Sequence, residues 1–84
     1  MSRQHHYLKT ETHYYQAIER GEKKFELRKN DRDFKKYDII HLIEVVNGVE
    51  TGRSLPGLEI QYVLSGLNGG GIYGLDKDYC ILNW

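Results

Sequence analysis

The sequence predicts a small β-rich α+β fold of about five to six short strands and one main helix. Apolar or alternating segments of strand length recur between turn residues, and one segment shows helical periodicity. The chain has 84 residues, and a chain of this size buries roughly two-thirds of its unfolded surface. A curled or closed sheet is then an economical way to protect strand edges. We therefore expect a single barrel-like domain over residues 1–84.

The first elements are a brief strand over residues 6–9 and the main helix over residues 11–20. Thr10 is expected to cap the helix with its hydroxyl, and Glu11 places a negative charge in the first turn. Gly21 supplies the helix stop. The spacing of apolar residues predicts that the core-facing side of this helix consists of Tyr14, Ala17 and Ile18.

Residues 23–29 alternate in polarity and predict a half-buried strand. Phe25 and Leu27 are expected to face the core, and the opposite face would carry Lys24, Glu26 and Arg28. The Asn-Asp-Arg-Asp segment that follows, residues 30–33, is typical of a turn because Asn and Asp side chains bond nearby backbone groups. Phe34 is then expected to return to the core.

The longest apolar segment, residues 38–46, is apolar on both faces, which is typical of a central strand. Asn47-Gly48 follows it and predicts a tight hairpin, because both central positions of a type I′ turn need positive φ. The return strand is expected over residues 49–51.

Two further strands are expected, over residues 58–64 and 78–84. Residues 66–74 contain three consecutive glycines and predict a loop between them. Cys80 is the single cysteine, so an internal disulfide is excluded. Its apolar neighbours favour a buried, inert thiol.

Positive charge is concentrated early in the chain. Residues 20–36 hold eight of the twelve Lys and Arg residues and four of the twelve Asp and Glu residues. This region therefore carries a formal charge of +4, whereas the whole chain sums to zero. Such a distribution is typical of a protein that binds something negative in its basic region.

Lys23, Glu26 and Arg28 are the leading candidate site residues. A buried lysine can serve as a base or nucleophile, and arginine fits phosphate and carboxylate groups with two parallel hydrogen bonds. Strand alternation separates Lys23 from the other two unless it lies in the turn after Gly21 or at a bulge. The alternative is an exposed strand face with ion pairs, each worth about 1 kcal/mol or less.

Several other chemistries are disfavoured. The four histidines lack metal-site spacing, the glycine-rich segment lacks a phosphate-binding fingerprint, and no nucleophile motif is present. We therefore expect no metal and no cofactor. No segment approaches the ~20 apolar residues of a membrane helix, which favours a soluble protein. The lack of disulfides favours the cytoplasm.

Beyond these local patterns, the chain resembles the ASCH superfamily of PUA-like β-barrels, and within it a group of small single-domain proteins of bacteria and phages. The resemblance extends from residue 6 to about residue 82. It implies a cleft lined by Lys23, Glu26 and Arg28 and an RNA or nucleotide ligand. The motifs that carry it are Leu8-Lys9, Gly21-x-Lys23-x-x-Glu26-x-Arg28-x-Asn30-Asp31-Arg32-x-Phe34, Asp38, Glu44 and Thr51-Gly52-Arg53.

The leading functional hypothesis is therefore an RNA- or nucleotide-binding domain. The expected ligand-binding side chains are Lys9, Lys23, Glu26, Arg28, Lys29 and Arg32. ASCH proteins also include amidohydrolases acting on an acetylated cytidine nucleoside, and one is reported as a ribonuclease. In such an enzyme Lys23 would be the base or nucleophile and Glu26 its acid–base partner, although Glu26 stands where those amidohydrolases carry threonine. A third alternative is an interaction module for an acidic protein partner.

Overall fold

The computed structural model describes residues 3–84, which form a strand-rich fold with one α-helix. A short 3-10 turn, Gly70–Tyr73, precedes the last strand. The predicted strand-rich character and single main helix are confirmed. In chain order the elements are β1 (His5–Glu11), α1 (Thr12–Glu19), β2 (Phe25–Lys29), β3 (Ile39–Val46), β4 (Val49–Ser54), β5 (Leu58–Glu59), β6 (Tyr62–Ser65) and β7 (Tyr79–Asn83).

The strands form two sheets. In the first sheet β3 is central: β1 runs parallel to it on one side, and β4 and β5 pair antiparallel with its two halves. In the second sheet β7 is central and pairs antiparallel with β2 and β6. Within residues 3–84, backbone ladders do not close these two sheets into a barrel.

One apolar core joins both sheets and the helix. The inward positions of the first sheet contribute Leu8, Ile40 and Leu42, and those of the second contribute Cys80 and Leu82. Burying an aliphatic side chain of this size stabilises a fold by about 1.5–3 kcal/mol, so these positions account for much of its stability. The helix and the connecting segments complete the core with Tyr15, Ile18, Phe34 and Ile60.

Two individual predictions are confirmed in this core. Phe34 is buried, as expected of a residue that returns to the core after the turn. Cys80 is fully buried and unpaired. Burial raises the pKa of its thiol, and the negative charge of Asp31 acts in the same direction, so the thiolate is disfavoured.

The helix lies close to its predicted bounds, but its start and its buried face differ from the prediction. Glu11 occupies the N-cap position without a side-chain capping bond, and the Thr10 hydroxyl bonds the carbonyl of Leu8 in place of the helix end. The core-facing residue is Tyr15, which is 1% exposed, whereas Tyr14 is 48% exposed. Both tyrosines fit helical periodicity with Ile18, so spacing alone did not separate them.

The hairpin between β3 and β4 forms as predicted. Asn47 and Gly48 have φ values of 50° and 81°, the positive angles that a tight two-residue turn requires. The return strand is longer than expected and continues to Ser54, with an irregularity in its register against β3 between Ile43 and Val45.

The strand predicted over residues 58–64 is divided between the two sheets. β5 pairs with β3, whereas β6 pairs with β7. The chain changes sheets at Ile60, which is fully buried and donates its backbone N–H to the carbonyl of Asp38 at 2.9 Å. Polarity alternation continues across this change of sheet, so the pattern did not reveal the break.

The glycine-rich segment forms a largely exposed connection that includes the 3-10 turn, with close backbone contacts at Gly66 and Gly70. Gly66 lies against residues 76–77, and a Cβ at this position would come within 2.0 Å of the carbonyl oxygen of Asp76. A glycine is needed at such a close backbone approach. Among residues 3–84, no helix has the length and apolar character needed to cross a membrane.

Candidate functional site

Lys23, Glu26 and Arg28 meet in one cluster. Gly21 ends the helix with φ 78°, and the backbone N–H of Lys23 bonds the carbonyl of Ala17 at 3.2 Å. Lys23 therefore lies in the turn before β2, outside the strand alternation, which is the geometry that convergence requires. Its ammonium contacts one oxygen of Glu26, and Arg28 Nε donates to the other at 3.1 Å.

The two faces of β2 are the reverse of the prediction. Glu26 is 5% exposed and points inward, whereas Phe25 and Leu27 are 47% and 55% exposed and lie on the outer face. The strand is indeed amphipathic, but polarity did not indicate which face is buried. Glu26 is tolerated inside because both of its oxygens are bonded to cationic side chains.

Arginine side chains bridge the edges of the two sheets. β1 pairs only with β3 among the described strands, which leaves its other edge without a backbone ladder. Arg28 Nη2 donates to the carbonyl of Lys9 at 2.7 Å and to the hydroxyl of Thr10 at 3.1 Å. Arg32 Nη1 donates to the carbonyl of Tyr7 at 2.8 Å. We use the term seam for this junction of β1 with β2 and the following turn.

A hollow of about 240 Å³ opens at the seam. A second hollow of about 350 Å³ adjoins it and shares Tyr14, Glu26 and Leu27. The Lys23 ammonium lies 4.9 Å from the ring centroids of both Tyr14 and Phe25, within the range of a cation–π contact. The seam hollow is lined by Lys9, Thr10, Glu11, Tyr14, Glu26, Leu27, Arg28 and Lys29.

The structure distributes the six predicted site residues around this seam. Besides the central cluster, Lys9 and Lys29 line the hollow from its exposed rim. Lys9 is 64% exposed and lies 4.0 Å from Glu50, so this pair is weak. Arg32 lies farther along β1, outside the hollow, and also pairs with Asp31 at 3.9 Å. Positive charge exceeds negative charge by one among the hollow's lining residues, and Lys23 adds one more.

A second buried carboxylate, Glu44, lies on the inner face of β3. It accepts hydrogen bonds from the hydroxyls of Thr12 and Thr51 at 2.8 and 2.7 Å, and Arg53 lies 3.7 Å away. The bonds from Thr51 and Thr12 hold the pKa of Glu44 below its usual range, and Arg53 adds to this effect, while burial opposes it. Glu44 thereby connects β3 to both α1 and β4.

A third polar contact, between His6 and Asp38, is also buried. His6 Nε2 lies 2.9 Å from Asp38, which also accepts the backbone N–H groups of Gln4 and Lys35. Burial alone would raise the pKa of Asp38, but these hydrogen bonds outweigh it and hold the pKa below its ordinary value. Asp38 and Glu44 both belong to the motifs of the ASCH resemblance, and here both make internal contacts.

A further hollow, which begins just after the end of β2, was not foreseen from the sequence. We call it the end hollow; it has a volume of about 470 Å³ and lies between the turn after β2 and the edge strand β6. Its residues come from segments far apart in the chain, so no local motif marks it. The lining residues are Asn30, Asp33, Phe34, Lys35, Lys36, Tyr62, Val63, Ser65 and Asn68.

Among residues 3–84, no group of three or more His, Cys, Asp or Glu side chains is arranged to hold a metal ion. At the centre of the seam, one carboxylate, one ammonium and one guanidinium are in direct contact. This set can bind anions and can exchange partners with a charged ligand.

The fold and the seam define a class of protein: a small strand-rich domain whose two sheets meet at a polar, basic junction. The chain belongs to the family described as "Domain of unknown function (DUF3850)", whose profile matches residues 5–84. It is also 38% identical over 50 residues to the "Uncharacterized 12.9 kDa protein in GpA 3'region" of Escherichia phage P2. That match covers 60% of this chain and 46% of the phage protein, so the chain spans about half of that relative.

Proposed function

We propose that this domain binds RNA or nucleotides at the seam. The observation that carries the proposal is the convergence of Lys23, Glu26 and Arg28 beside a hollow with basic residues on its rim. A cationic hollow suits the phosphate groups of a nucleic acid. The half-exposed ring of Tyr14 on its wall suits stacking against a base.

The residues at the seam have different roles in this proposal. Lys9 and Lys29 are exposed and contact phosphate groups directly. Arg28 is mostly committed to Glu26, the Lys9 carbonyl and Thr10, so it shapes the hollow and offers only its remaining donor capacity. Glu26 fixes the positions of Lys23 and Arg28 and keeps the net positive charge of the hollow small.

The ASCH resemblance gives the proposal its structural setting. We propose a PUA-like barrel in which the Arg28 and Arg32 side chains take the place of a backbone ladder between β1 and β2. Each arginine donates a hydrogen bond to a carbonyl on the free edge of β1. In a continuous sheet, the backbone N–H groups of a neighbouring strand would satisfy these carbonyls. We also retain the cytoplasm as the proposed location, since the single thiol is free and buried.

A binding assay with matched lysine variants tests this proposal. Fluorescence anisotropy with a labelled single-stranded RNA is expected to show weaker binding for Lys9→Ala and Lys29→Ala. Lys77→Ala removes the same charge from an exposed position that lines none of the three hollows and serves as the control. Equal affinity in all three variants would overturn the proposal. Retention of an acidic peptide, but not of RNA, by the immobilised domain would instead favour an acidic protein partner.

A hydrolase acting on an acetylated cytidine nucleoside is the second candidate. The direct contact between Lys23 and Glu26 favours it, because such a pair can carry a proton between substrate and enzyme. Both oxygens of Glu26 are engaged by cations, so a substrate would have to displace one of them. Incubation with acetylated cytidine should then release cytidine and acetate, and Lys23→Ala should abolish this. No release, or equal release by the variant, removes the hydrolase candidate.

A further inference from the structure

The end hollow is separate from the seam, and none of its lining residues lines a seam hollow. At about 470 Å³ it exceeds both seam hollows and falls within the roughly 300–1,000 Å³ typical of small-molecule sites. Its walls include the buried ring of Phe34 and the side chain of Val63. The ring of Tyr62 lies on its wall and is 60% exposed, so an aromatic face is available to a flat ligand.

One polar atom in this hollow has no internal partner. The side-chain oxygen of Asn30 is buried and accepts no hydrogen bond from any residue between 3 and 84. A buried acceptor without a donor is costly, and natural structures rarely keep one without a reason. This oxygen is closed to solvent, but Asn30 directly follows β2 and lines the hollow, so a rotation of its side-chain amide would turn the oxygen toward the N–H group of a ligand there.

Hydrogen-bond donors also line this hollow. Ser65 and Asn68 bond each other: the Ser65 N–H donates to Asn68 Oδ1 at 2.8 Å, and the Asn68 N–H donates to Ser65 Oγ at 3.0 Å. This arrangement fixes the orientation of the Asn68 amide with its oxygen turned toward β6. Its NH₂ group and the Ser65 hydroxyl retain donor capacity, which complements the acceptor of Asn30.

The rim of the hollow is basic. Lys35 and Lys36 both line it, and the one acidic lining residue, Asp33, lies 3.5 Å from Lys35 with both side chains largely exposed. An exposed pair of this kind is weak and readily exchanged. The rim therefore carries an excess of one positive charge and can accept an anionic group.

We propose that the end hollow binds a nucleoside 5′-phosphate, either free or as one residue of an RNA strand. The base lies against Tyr62, presents an N–H group to Asn30 and an acceptor to Asn68 or Ser65, and the phosphate lies at Lys35 and Lys36. An N–H group beside an acceptor on a flat ring is present on the hydrogen-bonding edges of all four bases, so these contacts favour a base without selecting among them. The choice of ligand class rests on the proposed function, whereas the location of the site rests on the hollow itself.

NMR titration of the full ¹⁵N-labelled chain locates the ligand. We expect uridine or guanosine 5′-monophosphate to shift the backbone amides of Asn30, Ser65 and Asn68, and ribose 5-phosphate to bind at least about tenfold more weakly because it lacks the base. A short oligouridine added in a separate titration distinguishes an RNA residue from a free nucleotide by which binds more tightly. Shifts confined to the seam, or no shifts with any of these probes, would overturn the inference.

The variant Asn30→Leu separates binding from folding. It removes the unpartnered oxygen at similar size, so we expect affinity for the nucleotide to fall about tenfold or more while the urea midpoint stays equal or rises. Lys35→Ala with Lys36→Ala should weaken nucleotide binding, whereas the charge-matched pair Lys24→Ala with Lys77→Ala should not. A large drop in the midpoint of Asn30→Leu, with nucleotide affinity unchanged, would show that Asn30 serves only the fold.

The same measurements distinguish failure of this inference from failure of the proposed function. Binding of RNA that depends on Lys9 and Lys29 but leaves Asn30, Ser65 and Asn68 unshifted keeps the seam proposal and removes the end hollow. Nucleotide binding that depends on Asn30 but is unaffected by Lys9→Ala and Lys29→Ala keeps the end hollow and removes the seam proposal.

Discussion

Glu26 and Glu44 are both buried glutamates on the inner faces of strands, but their partners differ. Glu44 accepts hydrogen bonds from two neutral hydroxyls, those of Thr12 and Thr51, with Arg53 at a longer distance. Glu26 is bonded to the ammonium of Lys23 and the guanidinium of Arg28. Both glutamates are 5% exposed or less, so burial alone does not distinguish them.

The difference distinguishes a carboxylate that stabilises only the fold from one that also holds cationic side chains in place at a surface. Neutral donors satisfy Glu44 inside the protein and connect three elements. The cations on Glu26 also line the hollows at the seam, where a phosphate group could share them. A buried anion held by cations thus places positive charge at a surface in fixed positions.

Among the substitutions of polar residues, the largest expected effect comes from Glu26→Ala. It leaves Lys23 and Arg28 next to each other without their shared anion, in positions only 16% and 23% exposed. Breaking such a pair costs about 3 kcal/mol of unfolding free energy, which urea denaturation measures. Glu22→Ala removes an exposed glutamate paired with Arg20 and should leave the midpoint nearly unchanged. Equal effects of the two substitutions would show that Glu26 is not held as described.

Arg28→Ala is expected to be next in size. It removes the donor to Glu26 and the bridges to the Lys9 carbonyl and Thr10, and hydrogen bonds from charged groups are each worth about 1.5–3 kcal/mol. We expect a loss of about 2 kcal/mol in urea denaturation, together with faster hydrogen exchange in β1. Arg28→Lys should recover only part of this, because an ammonium lacks the planar fork. Full recovery by lysine would contradict the bridging role.

A pH series on Glu44→Gln tests the other glutamate. Because the folded-state pKa of Glu44 is lowered, its stabilising contribution is fully present above the unfolded value of about 4.3 and is lost as the pH falls through the lower folded value. The variant lacks this titrating group, so its urea midpoint should fall less steeply below about pH 4.3 than that of the wild type. Parallel pH profiles of the two proteins would contradict this account of Glu44.

The smallest expected effect is that of Leu27→Thr, which tests the orientation of β2. Leu27 is 55% exposed on the outer face, and threonine suits a strand, so the unfolding free energy should change by less than about 0.5 kcal/mol. Leu82→Ala, on the neighbouring strand but fully buried, should cost about 2–5 kcal/mol. A cost for Leu27→Thr as large as that for Leu82→Ala would mean that Leu27, and not Glu26, faces the core.

Local signals in the sequence accounted for much of the fold. The Asn47-Gly48 turn, the central strand β3 and the helix stop at Gly21 were predictable because each depends on neighbouring residues. The buried face of β2 was not predictable, because Glu26 is stabilised inside by Lys23 and by an arginine that also reaches β1. A polarity pattern predicts that such a glutamate is exposed. Its burial is possible only because both of its oxygens are paired with cationic side chains.

The candidate site was predictable in part for the same reason. Lys23, Glu26 and Arg28 are close in sequence, so their convergence required only that Lys23 lie in the turn. Contacts between distant segments were missed, including Arg28 with Thr10, Glu44 with Thr12, and the walls of the end hollow. Thr12 and Thr51 lie in separate segments of the chain, so no local pattern indicated that both would bond Glu44.

The salt dependence of RNA binding tests the central claim about the seam most directly. The dissociation constant for a single-stranded RNA should rise steeply with salt. In the Lys9→Ala, Lys29→Ala double variant, the negative slope of log affinity against log salt should become shallower by about 1.4, or 0.7 per phosphate contact. A flat dependence for the wild type, or an unchanged slope in the double variant, would contradict binding of phosphate groups at the seam.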